Sequence, residues 1–534
     1  MIKKLFIENY RIFKSFELEL NDDLSILVGD NEVGKSTILE AINLALTRKL
    51  NGRPIDQELT PHLFNQTRVA EYLASLKTRI PQEPPPIRIE LYLDDRPELQ
   101  FLRGSMNSKR EDCPGVKLEI QFDDDYNDEY QALLEKRDEL KLVPAEYYRV
   151  YWYSFANNPV TQRSLPLRLS YIDATTIRLQ SGTDYYLHDI IHTNLDPRER
   201  VALSVSYRNL KERFANEPAI TGINKKLNIR QGAITDKNLS ISIDISQKSN
   251  WETNLIPHLN ELPFQLVGKG EQNALKVMLA LERNADESQL ILIEEPENHL
   301  SFTSMNLLVS KIREKCGGKQ VIITTHSAYV LNKLGLEHLV LLANLDHPST
   351  TSLSKLSADT HDYFKKLSGY DTLRLVLAKK AILVEGPSDE LIVQKAFLCQ
   401  HGALPIAKGV DVMNVRGLSF LRFLEIADLL HKDVVVVTDN DGDYDENISK
   451  KYSDYQESET IRVCASTNNT LKTLESHLVA CNDLTRLNNI LGTRYAIVSE
   501  LEQYMIARKT ECALKLFETQ ESLSFPQYIQ DAIN

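Results

Sequence analysis

Apolar and polar positions alternate near the start of the chain in a way that predicts half-buried strands over Lys4–Glu8 and Ser15–Leu20. The continuous apolar run Leu24–Val28 predicts a fully buried strand, and Thr37–Leu46 has the spacing of an amphipathic helix. Further runs predict an antiparallel sheet beside this core; they are Ile87–Leu93, Val116–Phe122, Tyr148–Phe155 and Leu167–Ile172.

The C-terminal part of the chain follows a strand–helix order instead. Buried strands are predicted over Ala381–Val384, Val410–Val415 and Val434–Thr438, with one helix starting near Pro387 and another over Ser419–His431. Strands that alternate with helices imply a small parallel sheet. In such a sheet the ligand site lies at the carboxyl ends of the strands.

Between these parts, residues 187–232 are charged and predicted to be helical, and we interpret them as a helical insertion. Five cations lie close together in it: Arg198, Arg200, Arg208, Lys211 and Arg213. They form either a solvated helix face or a surface for a second copy of the chain or for DNA, and the pattern favours neither. The alternating run Leu239–Ile245 predicts a strand that returns the chain to the core.

Composition narrows the class of protein. With 534 residues, 42% hydrophobic and 26% charged, the chain has room for several globular domains. No apolar run has the length of a membrane span and the N-terminus lacks a signal-peptide core, so we expect a cytoplasmic protein without a membrane partner. Six cysteines without C-x-x-C pairs indicate free thiols. A net charge of −13 excludes a uniformly basic coat but allows a local basic groove.

The segment between the buried strand and the first helix has the phosphate-loop pattern G-x-x-x-x-G-K-[ST]. Its residues are Gly29-Asp30-Asn31-Glu32-Val33-Gly34-Lys35-Ser36, followed by Thr37. Backbone N–H groups of such a loop bind phosphate oxygens, and the helix N-terminus adds positive potential. Lys35 would contact the β- and γ-phosphates of ATP, and the Ser36 hydroxyl would bind Mg²⁺.

Three later segments complete a nucleotide site. A Gly-rich turn with Gly268, Gly270 and Gln272 precedes a helix predicted over Asn273–Glu282. The buried strand Leu290–Ile293 ends in Glu294 and Glu295, the pattern of a Walker B strand, in which Glu294 would hold the Mg²⁺ shell and Glu295 would activate water. The strand Val321–Thr325 ends next to His326, which would lie at the γ-phosphate.

This order of motifs resembles the ATP-binding-cassette (ABC) ATPases, in the branch of the chromosome-maintenance and recombination ATPases. Arg11 in Asn9-Tyr10-Arg11 matches the early Asn-aromatic-Arg element of that branch. The resemblance implies that two copies sandwich ATP, with the signature of one facing the phosphate loop of the other. The usual Leu-Ser-Gly-Gly signature is absent here, which affects the expected rate of hydrolysis more than the expected binding of ATP.

Acidic residues follow the first and third predicted strands of the C-terminal part. Glu385 ends the first strand, and Asp389 lies one helical turn later. Asp439 and Asp441 follow the third strand in a segment that we expect to be extended, so that both side chains would face the same way. Carboxylates gathered at one edge suit a hard cation such as Mg²⁺ or Mn²⁺. A solvated acidic turn would explain Asp439 and Asp441 alone, but not the acid on the other strand.

This arrangement resembles the Toprim domain of topoisomerases, primases and some nucleases. With the ATPase part, the whole chain resembles the OLD (overcoming lysogenization defect) family of ATPase–Toprim nucleases, which includes the Gabija A subunit and retron-associated effectors. The resemblance extends to Thr473-Leu474-Glu475 and Arg508-Lys509-Thr510. It implies two metal ions held by Glu385, Asp389, Asp439, Asp441 and Glu475, with Lys509 stabilising charge on the scissile phosphate.

The predicted fold class is therefore α/β, an ABC-type ATPase head with a helical insertion followed by a Toprim domain. Its segments are 1–186 and 233–345 for the head, 187–232 for an insertion that dimerises, 346–378 for a connector, and 379–534 for the Toprim domain with C-terminal helices. The expected function is ATP-binding, Mg²⁺-dependent cleavage of DNA in defence against phage. The expected assembly is a homodimer or higher homo-oligomer, working with a helicase, a reverse transcriptase and its DNA product, or no partner.

Two other functions remain compatible with the sequence. One is a DNA-binding ATPase clamp with a non-catalytic Toprim fold, and the other is a sensor ATPase that sequesters a toxin or partner. Clamps of that kind carry long coiled-coil arms, and no sustained heptad pattern occurs here.

Overall fold

The computed structural model describes residues 1–78, 80–135, 140–173, 179–180, 183–184, 195–228, 241, 258–282, 289–342, 350–353, 355–417 and 419–534. These residues fall into two compact units. The first unit contains residues 1–24 and 34–324, and the second contains residues 25–33 and 325–534. No helix in the described ranges is both long and apolar enough to cross a lipid bilayer.

The strands of the described residues, in chain order, are β1 Ile2–Tyr10, β2 Phe13–Glu19, β3 Leu24–Gly29, β4 Lys49–Leu50, β5 Arg53–Pro54, β6 Ile87–Leu93, β7 Arg103–Gly104, β8 Cys113–Phe122, β9 Tyr148–Ser154, β10 Leu169–Asp173, β11 Leu179–Gln180, β12 Thr183–Asp184, β13 His258–Leu259, β14 Leu262–Pro263, β15 Leu290–Glu294, β16 Gln320–Thr324, β17 Leu339–Leu342, β18 Thr350–Ser352, β19 Lys380–Val384, β20 Val410–Asn414, β21 Asp433–Val437 and β22 Ile461–Cys464.

The α-helices of the same residues are α1 Lys35–Thr47, α2 Ile55–Glu58, α3 Gln66–Ser75, α4 Asn127–Leu134, α5 Pro197–Ala215, α6 Pro218–Asn228, α7 Lys269–Glu282, α8 Phe302–Lys315, α9 Ala328–Leu334, α10 Ala358–Lys366, α11 Thr372–Leu377, α12 Pro387–His401, α13 Phe420–Leu429, α14 Leu474–Cys481, α15 Leu484–Leu491, α16 Val498–Ala507, α17 Lys509–Glu518 and α18 Gln527–Ile533. A π-helical turn covers Asp445–Lys450.

The first unit contains the predicted antiparallel sheet. Its strands are hydrogen-bonded in the order β2-β1-β6-β8-β7, and β9 also pairs with β8. The apolar positions of neighbouring strands are in register, for example Ile7 with Ile89 and Leu118 with Trp152. The Trp152 indole N–H donates to the backbone oxygen of Ala45, 2.8 Å away, and so ties this sheet to α1. The predicted antiparallel sheet is confirmed for the runs Ile87–Leu93, Val116–Phe122 and Tyr148–Phe155. The run Leu167–Ile172, predicted to belong to the same sheet, instead pairs in parallel with β15 as β10, so that prediction is wrong.

Three parallel strands form the second layer of this unit. They run in the order β10-β15-β16, with Ile172 opposite Ile293 and Ile293 opposite Ile323. All five residues of β15 and of β16 are buried. Continuous apolar strands of this kind form because a parallel sheet is covered on both faces. The register places the last residue of β15, Glu294, at the carboxyl edge.

The second unit contains the predicted small parallel sheet. Its strands lie in the order β20-β19-β21-β22, and every neighbouring pair is parallel. The sequence predicted only the first three strands, because Ile461–Cys464 is short and has a single buried residue, Ile461, as suits an edge strand. Two helices, α12 and α13, connect the first three strands. In the same unit β17 pairs with β3 in parallel.

The predicted insertion and connector are described in part. Within 187–232 the structure describes α5 and α6, and α5 begins at a capping box formed by Asp196 and Glu199. Residues 187–194 and 229–232, and the strand predicted over Leu239–Ile245 apart from Ile241, lie outside the described residues. The predicted connector, residues 346–378, contains α10 and α11.

Gln320 provides a test of the packing in the first unit. Its buried side chain accepts from the Ile2 N–H at 2.8 Å and donates to the backbone oxygens of Ile2 and Asn21 at 2.7 and 2.8 Å. Gln320→Ala leaves these buried groups without partners, so we expect the free energy of unfolding to fall by about 2–4 kcal/mol. Urea unfolding followed by tryptophan fluorescence measures it. The matched control Gln100→Ala, at an exposed position, is expected to change it by less than about 0.5 kcal/mol.

Candidate functional site

Four carboxylates of the second unit come from four separate segments. Glu385 directly follows β19, and Asp389 lies in the first turn of α12. Asp439 follows β21 after one residue, and Glu475 lies in the first turn of α14. The sheet brings these segments together because the carboxyl ends of parallel strands share one edge.

Hydrogen bonds join these segments at the edge of the sheet. The Glu385 carboxylate accepts from the Thr438 hydroxyl at 2.5 Å and from the Asp439 N–H at 3.2 Å. The Asp439 carboxylate in turn accepts from the Leu474 N–H at 3.2 Å, one residue before Glu475. The strand ends and the α14 N-terminus are therefore held in contact through the acids themselves.

The carboxylates also change one another's protonation. Burial, together with the charges of Glu385 and Glu475, raises the pKa of Asp389 to about 7. Burial, together with the charges of Asp389 and Glu385, raises the pKa of Asp439 to about 8. Both shifts have the sign of like charges held close in a poorly solvated place. The four acids therefore form one electrostatic cluster.

Lys509 lies at the border of this cluster. Its Nζ is 3.7 Å from Oε2 of Glu475, whose side chain is 4% exposed while that of Lys509 is 50% exposed. Oε2 of Glu475 is buried and has no hydrogen-bond partner within the described ranges. The structure thus brings together a buried acceptor and a solvent-facing cation, the two residues that the family resemblance pointed to.

Asp441 does not follow the predicted geometry. The sequence predicted an extended segment in which Asp439 and Asp441 face the same way, but Asp441 has φ +49° and is exposed. The reason is Asn440, whose buried amide donates to the backbone oxygens of Ser466 and Asn468 and accepts from the Gly442 N–H. These bonds turn the chain after Asp439. A metal-binding role for Asp441 stays a prediction.

Two buried tyrosines beside the acids were missed by the sequence analysis. The Tyr452 hydroxyl is buried without a hydrogen-bond partner in the described chain, and burial and the Glu385 charge raise its pKa. Tyr528, on the C-terminal helix, has its pKa raised by burial and by the charges of Asp439 and Asp389. Neither lies in a motif; Tyr452 follows the π-helical turn, an element often found at functional sites.

The carboxylate oxygens of the four acids are chemically suitable ligands for a divalent cation. Carboxylate oxygens are the ligands of Mg²⁺ and Mn²⁺, and a cation would offset the repulsion that raises the pKa of Asp389 and Asp439. Within the described residues, however, no three acidic, histidine or cysteine side chains are drawn close enough to make a finished metal site. Binding a cation would therefore require these side chains to move closer together.

The Walker B acid meets the phosphate-loop serine in the first unit. The Ser36 hydroxyl donates to Oε1 of Glu294, and the Tyr171 hydroxyl donates to Oε2 of Glu294 at 3.0 Å. Lys35 is buried at the start of α1, and Thr37, two residues on, is partly exposed. The pairing of Ser36 with Glu294 is the arrangement expected of residues that share a Mg²⁺ shell.

Glu295 and Gly34 have left-handed backbones. Glu295 has φ +44°, its N–H donates to the backbone oxygen of Thr324 at 3.0 Å, and its carboxylate accepts from the Asn298 amide at 2.6 Å. Gly34 has φ +92°, and a Cβ there would lie 2.4 Å from Cδ1 of Ile12. Only glycine fits this point of the loop, whereas the unusual backbone of Glu295 is held by its hydrogen bonds.

The residues predicted around the signature and the early motif have internal partners. Gln272 is buried, and its amide donates to the backbone oxygens of Phe264 and Val267 at 2.8 and 2.7 Å. A Cβ on Gly270 would lie 2.2 Å from the backbone oxygen of His299, whereas Gly268 has open space around it. Arg11 donates to the Glu40 carboxylate at 2.9 Å. Contacts of these residues with nucleotide stay predictions.

The remaining predicted nucleotide residues lie in the second unit. Asn31 and His326 are exposed. His326 lines a cavity of about 500 Å³ together with Asp30, Arg374 and Asp411. Roles for Asn31 and His326 in phosphate binding stay predictions.

Two family models match parts of this chain. The family model described as AAA domain, putative AbiEii toxin, Type IV TA system, matches residues 24–332. That match covers more than half of the chain, so the chain belongs to this family. A second model, described as overcoming lysogenization defect protein-like, TOPRIM domain, matches residues 376–441. The ATPase–Toprim fold class and the OLD-type resemblance predicted from the sequence are confirmed.

Individual relatives have low sequence identity to this chain but align with most of its length. Endonuclease GajA of Bacillus cereus strain VD045 is 19% identical over 450 residues, which are 82% of this chain and 74% of that protein. The OLD nuclease of Thermus scotoductus is 24% identical over 475 residues, 83% of this chain and 82% of that protein. Among solved structures, the SmcHead bound to the C-winged helix domain of ScpA has 15% identity and a TM-score of 0.34, covering 66% of this chain and 98% of that one.

Neutralising one acid of the cluster is expected to stabilise the metal-free protein. The pKa of Asp439 is raised to about 8, so between about pH 4 and pH 8 the folded protein holds a proton that the unfolded chain releases. Wild-type stability therefore falls as pH rises through this window. Asp439→Asn removes that loss and should raise the unfolding temperature in EDTA by about 2–5 °C, more at pH 8 than at pH 5.

Thermal unfolding in EDTA and in Mg²⁺ measures this effect. The exposed control Asp454→Asn should leave the unfolding temperature unchanged, and Mg²⁺ should stabilise wild type more than Asp439→Asn. A lower unfolding temperature for Asp439→Asn in EDTA would contradict the electrostatic account of the cluster.

Proposed function

We propose that this chain is an ATP-binding, divalent-metal-dependent DNA endonuclease or nickase that hydrolyses phosphodiester bonds at the carboxyl edge of its parallel sheet. The observation that carries the proposal is the convergence of Glu385, Asp389, Asp439 and Glu475, with Lys509 3.7 Å from Glu475. Carboxylates that repel one another in the metal-free site favour the binding of divalent cations. The positive charge of Lys509 favours the approach of a phosphate.

The chemistry assigned to this site is metal-assisted hydrolysis. Two bound divalent ions supply an activated water and charge stabilisation for an in-line displacement at phosphorus. Glu385 and Asp439 hold the site together through their shared hydrogen bonds, Asp389 and Glu475 contribute further oxygens, and Asp441 is a further proposed ligand. Lys509, half-exposed beside Glu475, stabilises negative charge on the scissile phosphate.

The nucleotide site has a separate task. Lys35 and the phosphate-loop amides would bind ATP phosphates, Ser36 and Glu294 would hold Mg²⁺, and Glu295 would activate water. Asn31, Thr37, Gly268, Gly270, Gln272, Arg11 and His326 complete the proposed set of nucleotide contacts. The nucleotide state is proposed to control cutting, and two copies of the chain are proposed to form the working assembly.

Relatives support this assignment through their names. GajA is named an endonuclease and the Thermus protein an OLD nuclease, and both align over more than four fifths of this chain. A role in defence against phage follows from the resemblance to the OLD family, together with a helicase or a reverse transcriptase with its DNA product as possible partners.

A non-catalytic clamp is less well supported. The longest α-helix in the described part of the chain is α5, with 19 residues, and the Toprim acids are retained at the sheet edge. A clamp or sensor would bind DNA or a partner without cutting, which the following experiment tests.

Replacing Glu385 tests the nuclease site. Glu385→Gln removes one charge and weakens the bonds that hold Thr438 and Asp439, so plasmid nicking in Mg²⁺ or Mn²⁺ should fall at least about a hundredfold. The matched control is Glu446→Gln, an exposed acid paired with Lys450 on the surface, which should cut like wild type. Nicking by Glu385→Gln at the wild-type rate would refute the proposed centre.

Replacing Lys35 tests the nucleotide site. Lys35→Ala removes a charged donor to phosphate, so ATP affinity should fall about 10- to 100-fold. Isothermal titration calorimetry measures this. Lys14→Ala, which removes an exposed lysine paired with Glu71, is the control and should bind ATP normally. Equal affinity for Lys35→Ala and wild type would show that the loop does not bind phosphate.

A further inference from the structure

Arg416 lies in the turn after β20, at the same carboxyl edge of the sheet as the acidic cluster. The Val415 N–H donates to the backbone oxygen of Val384 at 2.9 Å, and the Gly417 N–H donates to the backbone oxygen of Glu385 at 2.9 Å. These two bonds continue the pairing of β20 with β19 past the ends of both strands. They fix the position of Arg416 next to the first acid of the site.

The backbone of Arg416 is in an unfavourable region. Its φ is +52°, and the following Gly417 has φ +102°. A left-handed backbone is costly for a residue with a long side chain, and such residues occur preferentially at functional sites. The flanking hydrogen bonds hold this conformation, but they do not explain why the position is an arginine when glycine would adopt it more easily.

The Arg416 side chain is presented to solvent and braced from one side. The residue is exposed, and its guanidinium carbon lies 5.7 Å from the centre of the Tyr370 ring. The described part of the chain contains no carboxylate within ion-pair distance of Arg416. Two nearby arginines differ: Arg374 forms an ion pair with Asp411, and Arg422 donates to the Thr360 hydroxyl.

We propose that Arg416 binds a backbone phosphate of the DNA strand next to the scissile bond, which makes it a substrate-positioning residue of the proposed nuclease. The inference rests on the function proposed above. A cluster of four carboxylates repels a polyanion, so a cation at its rim offsets this repulsion where the strand must approach. A guanidinium is suited to this because its planar fork binds two phosphate oxygens at once, and the Tyr370 ring limits its freedom.

A purely structural role for Arg416 predicts different results. In that case its contact with Tyr370 stabilises the turn, and its removal lowers stability without a selective effect on DNA. Arg416→Gly separates the two roles, because glycine accepts the left-handed backbone while it removes the guanidinium.

The experiment compares Arg416→Gly, Arg416→Ala and Arg416→Lys with wild type and Arg462→Ala in the full-length protein. Arg462 is an exposed arginine near the amino end of β22, away from the carboxyl edge that carries the acids, and it matches the change in charge. Fluorescence anisotropy of a labelled DNA duplex in Ca²⁺ measures affinity at several salt concentrations. Plasmid nicking in Mg²⁺ gives kcat and KM, and thermal unfolding gives stability.

For Arg416→Gly and Arg416→Ala we expect DNA affinity about tenfold weaker, KM raised by a similar factor and kcat nearly unchanged. The slope of log K against log salt should fall in magnitude by about 0.7–0.9, the loss of one phosphate contact. Arg416→Lys should recover part of the affinity, Arg462→Ala should behave like wild type, and Arg416→Gly should unfold near the wild-type temperature.

The outcomes separate this inference from the proposed function. If wild type cuts DNA and the Arg416 variants bind and cut equally well, or lose kcat alone, the phosphate-binding role is wrong and the nuclease remains. If wild type binds DNA through Arg416 without cutting, the nuclease is wrong and the phosphate contact remains. If wild type does not bind DNA, both are wrong.

Discussion

The repulsion among partly buried carboxylates is the constraint on which the second unit depends. Four acids are placed where solvent screens them poorly, and the pKa of Asp389 and of Asp439 rises because of it. A fold optimised only for stability would not retain such a cluster. It is tolerated because the surrounding sheet is apolar and continuous, with Val434–Val437 buried in its centre. The destabilised edge is therefore the clearest mark of function in this unit.

The first unit solves a similar problem with a different device. Its two acids at the end of β15 are not left to repel each other, because each has its own partner. Glu294 accepts from Ser36 and Tyr171, and Glu295 accepts from Asn298 while its backbone takes a left-handed turn. The different partners of Glu294 and Glu295 therefore favour different roles for these two neighbouring residues. The proposed nucleotide site is preorganised by protein groups, whereas the proposed nuclease site has like charges that an external cation would offset.

Hydrogen bonds from the backbone give the acidic cluster its geometry. Glu385, Asp439 and Leu474 are linked in series, and the bond from Gly417 to Glu385 adds the turn that carries Arg416. Loops at the carboxyl ends of strands vary easily in sequence, while the strands beneath them stay rigid. Arg416 and the acids of the cluster therefore lie at one edge of the sheet, in the segments that follow its strands.

The sequence by itself determined the long apolar strands, the phosphate loop, the Walker B acids and the Toprim acids Glu385, Asp389 and Asp439, because local periodicity and motif spacing encode these. Motif resemblance named Glu475 and Lys509, but only the tertiary structure placed them 3.7 Å apart at the site. It alone decided that Asn440 turns the chain after Asp439 and that Tyr452, Tyr528 and Arg416 lie near the acids. Strand order, helix packing and a buried amide bring these residues close, and these act between positions far apart in the chain. No local pattern records these contacts.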